Sequence, residues 1–233
     1  MLILNTILAS LAQEIPVDEV VEQVVEQVSV LDLLLKGGYM MVPILLLSIL
    51  GIYVFVERLL TIKDASKTPD AFMSDIKSMV LNGGISEAKT LCQSTATPIA
   101  RMVEKGISRI GSPLKSIEAS IENVGKIEIY KLEKNLSLLA TISGAAPMIG
   151  FLGTVTGMIQ AFISIAQEEG AVSPKLLSSG IYEAMITTAA GLFVGILTYL
   201  AYNYLVTKVG KLIHGMEYTS IDFIDLLQEP QKK

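Results

Sequence analysis

Charged residues vanish from three long stretches of this chain. Twenty uncharged residues separate Lys36 from Glu57 and thirty-three separate Lys134 from Glu168; thirty-two lie between Lys175 and Lys208, with Glu183 the single charge among them. A bilayer core about 30 Å thick takes about 20 apolar residues of α-helix, so each stretch is long enough to cross. The pattern predicts an all-α membrane protein with spans at 39–60, 138–166 and 176–206. Between them it leaves an outer segment (1–38), a helical domain (61–137), a short outer loop (167–175) and a tail (207–233) that carries the third span's helix onward.

The polar segments read as helical too. After Pro16, Val17, Val20, Val21, Val24, Val25, Val28 and Leu31 alternate with Asp, Glu and Gln at steps of three and four, an amphipathic helix for the outer membrane surface or a neighbouring subunit. Met1 to Ala12 is apolar and ends in Ala9-Ser10-Leu11-Ala12, which could suggest a cleaved leader, but it lacks the positive start of one; a short retained outer segment is the plainer reading. Beyond Arg58, Thr68-Pro69-Asp70, Ser86, Thr97-Pro98 and Ser112-Pro113 are helix-start signals, and Gly83-Gly84 is a stop. Four helices are expected there. The last, from Pro113, meets little to break it and is expected to run unbroken into the second span, approaching about 80 Å in all.

Lys and Arg set the orientation. Twelve lie between Arg58 and Lys134 and four follow Val206, against Lys36 and Lys175 elsewhere, so sixteen of eighteen share one side if the N-terminus is outside. Composition narrows the function. A net charge of −5 gives no basic footprint for nucleic acid, and a single cysteine and a single histidine leave little for a metal centre or a hydrolytic triad. There is no P-loop, and no nucleophile and base constellation supports an enzyme. No cofactor is expected. Cys92 reads as a packed or exposed thiol, and Glu57-Arg58 as an interfacial anchor or structural pair at the inner end of the first span.

Two stripes of small residues mark the other spans. Ser143, Pro147, Gly150, Thr154, Gly157, Ala161 and Ser164 follow one another at steps of four and three, as do Gly180, Ala184, Thr187, Gly191, Gly195 and Thr198 with one further step of four. Gly153–Gly157 and Gly191–Gly195 are GxxxG pairs. Such faces serve tight helix packing in lipid, or line a pore; two of them beside one intramembrane acid favour a lining. That acid, Glu183, costs a few kcal/mol unless it faces protein or water, so an ion path or relay is the default reading and a hydrogen-bonded packing residue the plain one. Thr187 lies about 40° round the helix from it and Thr188 about 140°, so one is expected to face a lumen and the other an adjacent helix.

The stretch Ala145-Ala-Pro-Met-Ile-Gly-Phe-Leu-Gly-Thr-Val-Thr-Gly-Met-Ile-Gln-Ala-Phe162, then Gly180-Ile-Tyr-Glu-Ala-Met-Ile-Thr-Thr-Ala-Ala-Gly-Leu-Phe-Val-Gly195 and Tyr202-Asn203-Tyr204, resembles the MotA/TolQ/ExbB proton channel family. Three spans favour the ExbB and TolQ branch. The resemblance covers roughly residue 35 to the C-terminus. It implies a homopentamer in the bacterial inner membrane around two single-span helices of an ExbD- or TolR-like partner, acting on a TonB-like protein or in envelope integrity. It also implies that Thr154, Glu183 and Thr188 sit at the family's polar pore positions. Thr187 places a second hydroxyl where some proton-using relatives have Ala, which keeps sodium beside the proton as the transported ion. A structural scaffold without its own ion path is the rival from another class; a secondary transporter is disfavoured because no inverted repeat or broken-helix pair is present.

Overall fold

In a computed structural model that describes residues 37–167 and 174–228, every regular element is a helix and no strand occurs among the described residues. The elements are α1 Met41–Ala65, α2 Phe72–Leu81, α3 Ile85–Thr95, α4 Pro98–Ile107, α5 Leu114–Glu133, α6 Leu136–Gln167 and α7 Pro174–Gln228. The expected outer amphipathic helix, most of the 167–175 loop and the last five residues lie outside the described residues. Three helical stretches, Met41–Ala65, Leu114–Gln167 and Gly180–Gln228, are long and apolar enough to cross a membrane. Their outer faces carry Leu46, Ile52, Phe151, Phe193 and Leu200, large apolar side chains left more than 45% exposed, which only a lipid or protein surround would cover.

α7 is the longest element. Its 55 residues form one helix of about 82 Å, so the third apolar stretch runs on without a break into the charged tail as far as Gln228. Its partner is not continuous. The unbroken helix expected from Pro113 through the second span stops at Glu133, and α6 begins anew at Leu136. Between them Lys134 turns extended (ψ 137°) and Asn135 adopts a left-handed conformation (φ 63°), which Asn tolerates better than other residues with a Cβ. A lysine–asparagine pair, with neither Gly nor Pro, breaks the helix.

Helix starts in the 66–113 region also differ in detail from the cap signals. Thr97 does cap α4, its hydroxyl accepting from the Ala100 N–H at 3.4 Å with Pro98 in the first turn. Thr68 does not cap α2; its hydroxyl donates to Thr97 Oγ1 at 2.9 Å and ties the two starts together. α3 opens at Gly84 instead of Ser86. The Gly84 N–H donates to the Met79 carbonyl, ending α2, while its own carbonyl accepts from the Ala88 N–H and begins α3, so one residue serves both ends. Gly83 before it takes φ +79°, which glycine permits freely. Ser112 gives way in the same manner to Pro113, whose carbonyl accepts from Ser116 and Ile117.

The short helices α2 and α4 and the longer α5 pack on the lower half of α7, with α3 packed on α2 and α4 and the end of α1 joining the same core. Their core contains Ile76, Ala88, Cys92, Ala100, Ile121, Leu139 and Phe223, all essentially sealed from solvent. Phe223 lies directly over Gly106 of α4, where a Cβ would come within 2.5 Å of its ring. Truncating Phe223 to Ala should therefore lower stability by about 3–5 kcal/mol, read as a drop in thermal unfolding midpoint of the detergent-solubilised protein. Burial pushes the Cys92 thiol up to about 12, with the Glu104 carboxylate adding to the shift. Because the thiolate is the nucleophile, Cys92 should resist maleimide at pH 8 in the folded protein and react at once after denaturation.

Candidate functional site

α6 and α7 run antiparallel, and their small-residue stripes face each other. A Cβ on Gly191 would lie 2.6 Å from the Ala146 carbonyl oxygen and 2.9 Å from Gly150 Cα; one on Gly150 would lie 2.8 Å from the Thr187 carbonyl. Gly195 rests on the Pro147 ring, and Gly157 and Gly180 meet Ala184 and Ala161. The glycines are thus in backbone contact along the seam. This is the geometry that drives helix association in lipid, where apolar surface alone supplies no preference for protein over tails.

The threonines sit on this seam in different ways. Thr187 is buried at 2% exposure, its side chain lying across Gly153, and its hydroxyl donates to the Ala184 carbonyl at 2.8 Å. Thr188 crosses to the other helix and donates to the Gly150 carbonyl at 3.0 Å, remaining half-buried. The expectation that one would face a lumen while the other met a neighbouring helix therefore changes: both meet α6. Gly153 and Gly150 are one turn apart on α6, so adjacent threonines each find a glycine to settle against. Thr154, also half-buried, donates to the Phe151 carbonyl of its own helix at 2.6 Å.

Glu183 lies elsewhere. Its carboxylate rests on Gly38, in the turn before α1, so closely that a Cβ there would overlap it, and Gly38 holds φ +65°. By the antiparallel register that pairs Gly150 with Gly191, Glu183 stands level with Met158, about one turn beyond Thr154 along α6. Within one chain, then, the four candidate residues do not form one cluster. Thr187 is sealed in the seam, Thr188 bridges it, Thr154 flanks it, and Glu183 caps the junction with α1.

A second polar group gathers at the α5–α6 break. Arg58, 5% exposed, donates through Nε to Glu57 Oε2 at 2.5 Å, and its Nη2 holds the other carboxylate oxygen. Its Nη1 donates to the Lys131 carbonyl at 3.0 Å. Lys131 is in the last turn of α5, where carbonyls lack an intrahelical donor, so the guanidinium caps the broken end. Beside it Glu128, 3% exposed, accepts from Arg101 at 2.6 Å and from Lys131 at 2.7 Å. Burial alone would raise the Glu128 carboxyl, but those two bonds and charges outweigh it and hold the group below the ordinary carboxylate range; it lies on the charged side of the break, outside the apolar spans. Sequence reasoning marked Glu57 and Arg58 but missed Asn135, Glu128 and Arg101. The available signal was the Lys134-Asn135 pair, a helix stop without glycine.

The arrangement offers a dry, rigid helix pair with hydroxyls on its margin and one acid near its apolar end. Rigidity is testable at Gly191. Replacing it with Val should force the backbones apart, hinder disulfide formation between cysteines placed at Gly157 and Ala184, where the two Cβ atoms would lie 3.2 Å apart, and lower the unfolding midpoint; retention of both would show that the seam yields.

Similarity to known proteins agrees with this architecture. The family model described as the MotA/TolQ/ExbB proton channel family matches residues 94–218, from α3 through the seam and into the tail of α7. A putative biopolymer transport protein ExbB-like 1 of Synechocystis is 32% identical over 184 residues, 76% of this chain and 70% of that protein. A putative biopolymer transport protein ExbB homolog of Methanothermobacter thermautotrophicus is 27% identical over 192 residues, 81% and 67% of the two chains. The Tol-Pal system protein TolQ of Haemophilus influenzae is 38% identical over 98 residues, 42% of this chain and 41% of its own. With three apolar helical stretches and this match across more than half its length, the chain is a multi-pass membrane protein that belongs to the MotA/TolQ/ExbB proton channel family, in its ExbB and TolQ branch.

Proposed function

We propose that this chain is the channel-forming subunit of an ion-driven motor in the inner membrane. Five copies enclose two single-span helices of an ExbD- or TolR-like partner and use proton-motive force to energise transport through a TonB-like protein. The observation that carries this is the α6–α7 seam, a glycine-tight wall with Thr188 and Thr154 on its margin and the acid Glu183 one turn away. The glycines hold α6 against α7, so what the wall offers an enclosed helix is its margin, where Thr154 and Thr188 stand half-buried. Hydroxyls both donate and accept, so they suit a carboxylate that is alternately charged and neutral. Thr187 belongs to the wall itself, since its hydroxyl is spent inside the seam. The driving energy is about 2.3 kcal/mol per charge per 100 mV, which is useful only if the wall does not leak.

A TolQ-like role in envelope integrity is the alternative within the same motor, supported by the 38% identity to a TolQ protein. Expressing the chain with its own partner in cells lacking endogenous homologues separates the readings, because either TonB-dependent uptake or Tol-dependent detergent resistance should be restored. Glu183→Gln, Thr154→Ala and Thr188→Ala should each lower the restored activity about tenfold or more, equivalent to about 1.4 kcal/mol in the limiting barrier. Co-purification of the partner shows that assembly is intact in each variant. Full activity in assembled variants would support a scaffold and defeat the ion path; activity undiminished in sodium-free medium at fixed pH excludes obligatory sodium coupling.

A further inference from the structure

α1 and α7 leave an open apolar groove between them, of about 400 Å³, walled by Gly51, Ile52 and Phe55 on one side and Phe193, Leu197 and Tyr204 on the other. The two helices run parallel: Gly38 meets Glu183 and Gly51 meets Thr198, offsets of 145 and 147 residues. Each wall is one continuous helix face. On α1 the steps of four and three that link Ser48, Ile52 and Phe55 continue through Leu59 to Lys63; on α7 those that link Phe193, Leu197, Leu200 and Tyr204 continue to Lys208 and Lys211. By the register between the helices, Lys63 stands level with residues 208–210. Both walls therefore end in exposed lysines at the same depth.

The lower end of the groove is already arranged around a cation. The Lys208 ammonium sits 5.5 Å above the centre of the Tyr204 ring, at the place where the apolar lining stops. Asp64, the nearest acid on α1, is held by Lys67 at 2.7 Å, and Lys63, exposed beside it, acts on its carboxylate only through its charge.

We infer that this groove is a binding site for an anionic glycerophospholipid, with an acyl chain between α1 and α7 and the phosphate among Lys63, Lys208 and Lys211. A zwitterionic lipid would fill the same apolar volume but carry its own cation to the lysines, so the site discriminates by headgroup. This goes beyond the motor reading and does not depend on it.

The chain has no tryptophan, so Tyr204→Trp gives a single reporter that keeps an aromatic face under Lys208. The full-length variant is reconstituted into vesicles of equimolar phosphatidylglycerol and phosphatidylcholine. Bromine is carried near the glycerol on one lipid or the other, so that surface charge is the same in both preparations. Phosphatidylglycerol bromine should quench with an association constant about fivefold higher or more. Combining Lys63→Gln, Lys208→Gln and Lys211→Gln should bring the two lipids to parity, while the remote Lys115→Gln leaves the preference intact. Equal quenching by both lipids in the unaltered site would overturn the inference, as would a preference that survives the triple substitution. Quenching by neither lipid would overturn it too, and would mean that another copy of the chain covers the groove.

Discussion

Everything in this molecule rests on how closely two helix backbones approach where Gly150 meets Gly191. At that point there is no room for a methyl group on either side. The approach fixes the spacing of α6 and α7, and the spacing decides what neighbouring residues can do. Thr187 fits only because Gly153 leaves a place for it, and Thr188 reaches the Gly150 carbonyl only because that carbonyl is near. Pro147 adds to the arrangement. Lacking an N–H, it leaves the Ser143 carbonyl without its usual helical donor, and Gly195 lies against both groups. Polar backbone at this depth is tolerated where protein covers it.

Below the apolar region the organising physics changes. Hydrophobic burial holds the short helices to α7, and the charged group around Arg58 ties α1 to the end of α5. Arg58 matters because it answers two needs at once: it pairs the Glu57 carboxylate and supplies a donor to a carbonyl orphaned by the break at Asn135. Removing one partner from such a group leaves the other charge buried and unpaired, and that penalty usually exceeds the worth of the pair itself.

Much of this was legible in the residue pattern. Stretches of 20 residues or more with at most one charge leave little choice but spans, and steps of four and three among small residues identify the faces that meet. What could not be read was partner choice. Helical periodicity gives an angle round one helix, and the 100° between Thr187 and Thr188 suggested separate neighbours; a close crossing lets both touch the same one, on opposite flanks of the contact. Glu183 was visible as an isolated acid, but its placement against Gly38 depends on a third helix more than 140 residues away. The stop at Asn135 escaped because asparagine is a weak signal within an otherwise helical run, decisive only with Arg58 there to receive the freed carbonyl.

The uninterrupted α7 and the interrupted α5–α6 pair make an unequal couple. α7 is a single beam about 82 Å long, anchored towards one end by Glu183 on Gly38 and towards the other by Phe223 on Gly106. Its companion is a strut with a joint at Asn135, clamped there by a side chain from α1. When such a frame is loaded from its membrane end, the beam carries tilt and torque to the far end almost undiminished, and the joint takes up the difference in angle. Bending would thus concentrate at one asparagine, and the α1 arginine that holds the Lys131 carbonyl just before it sets how stiff the whole frame is.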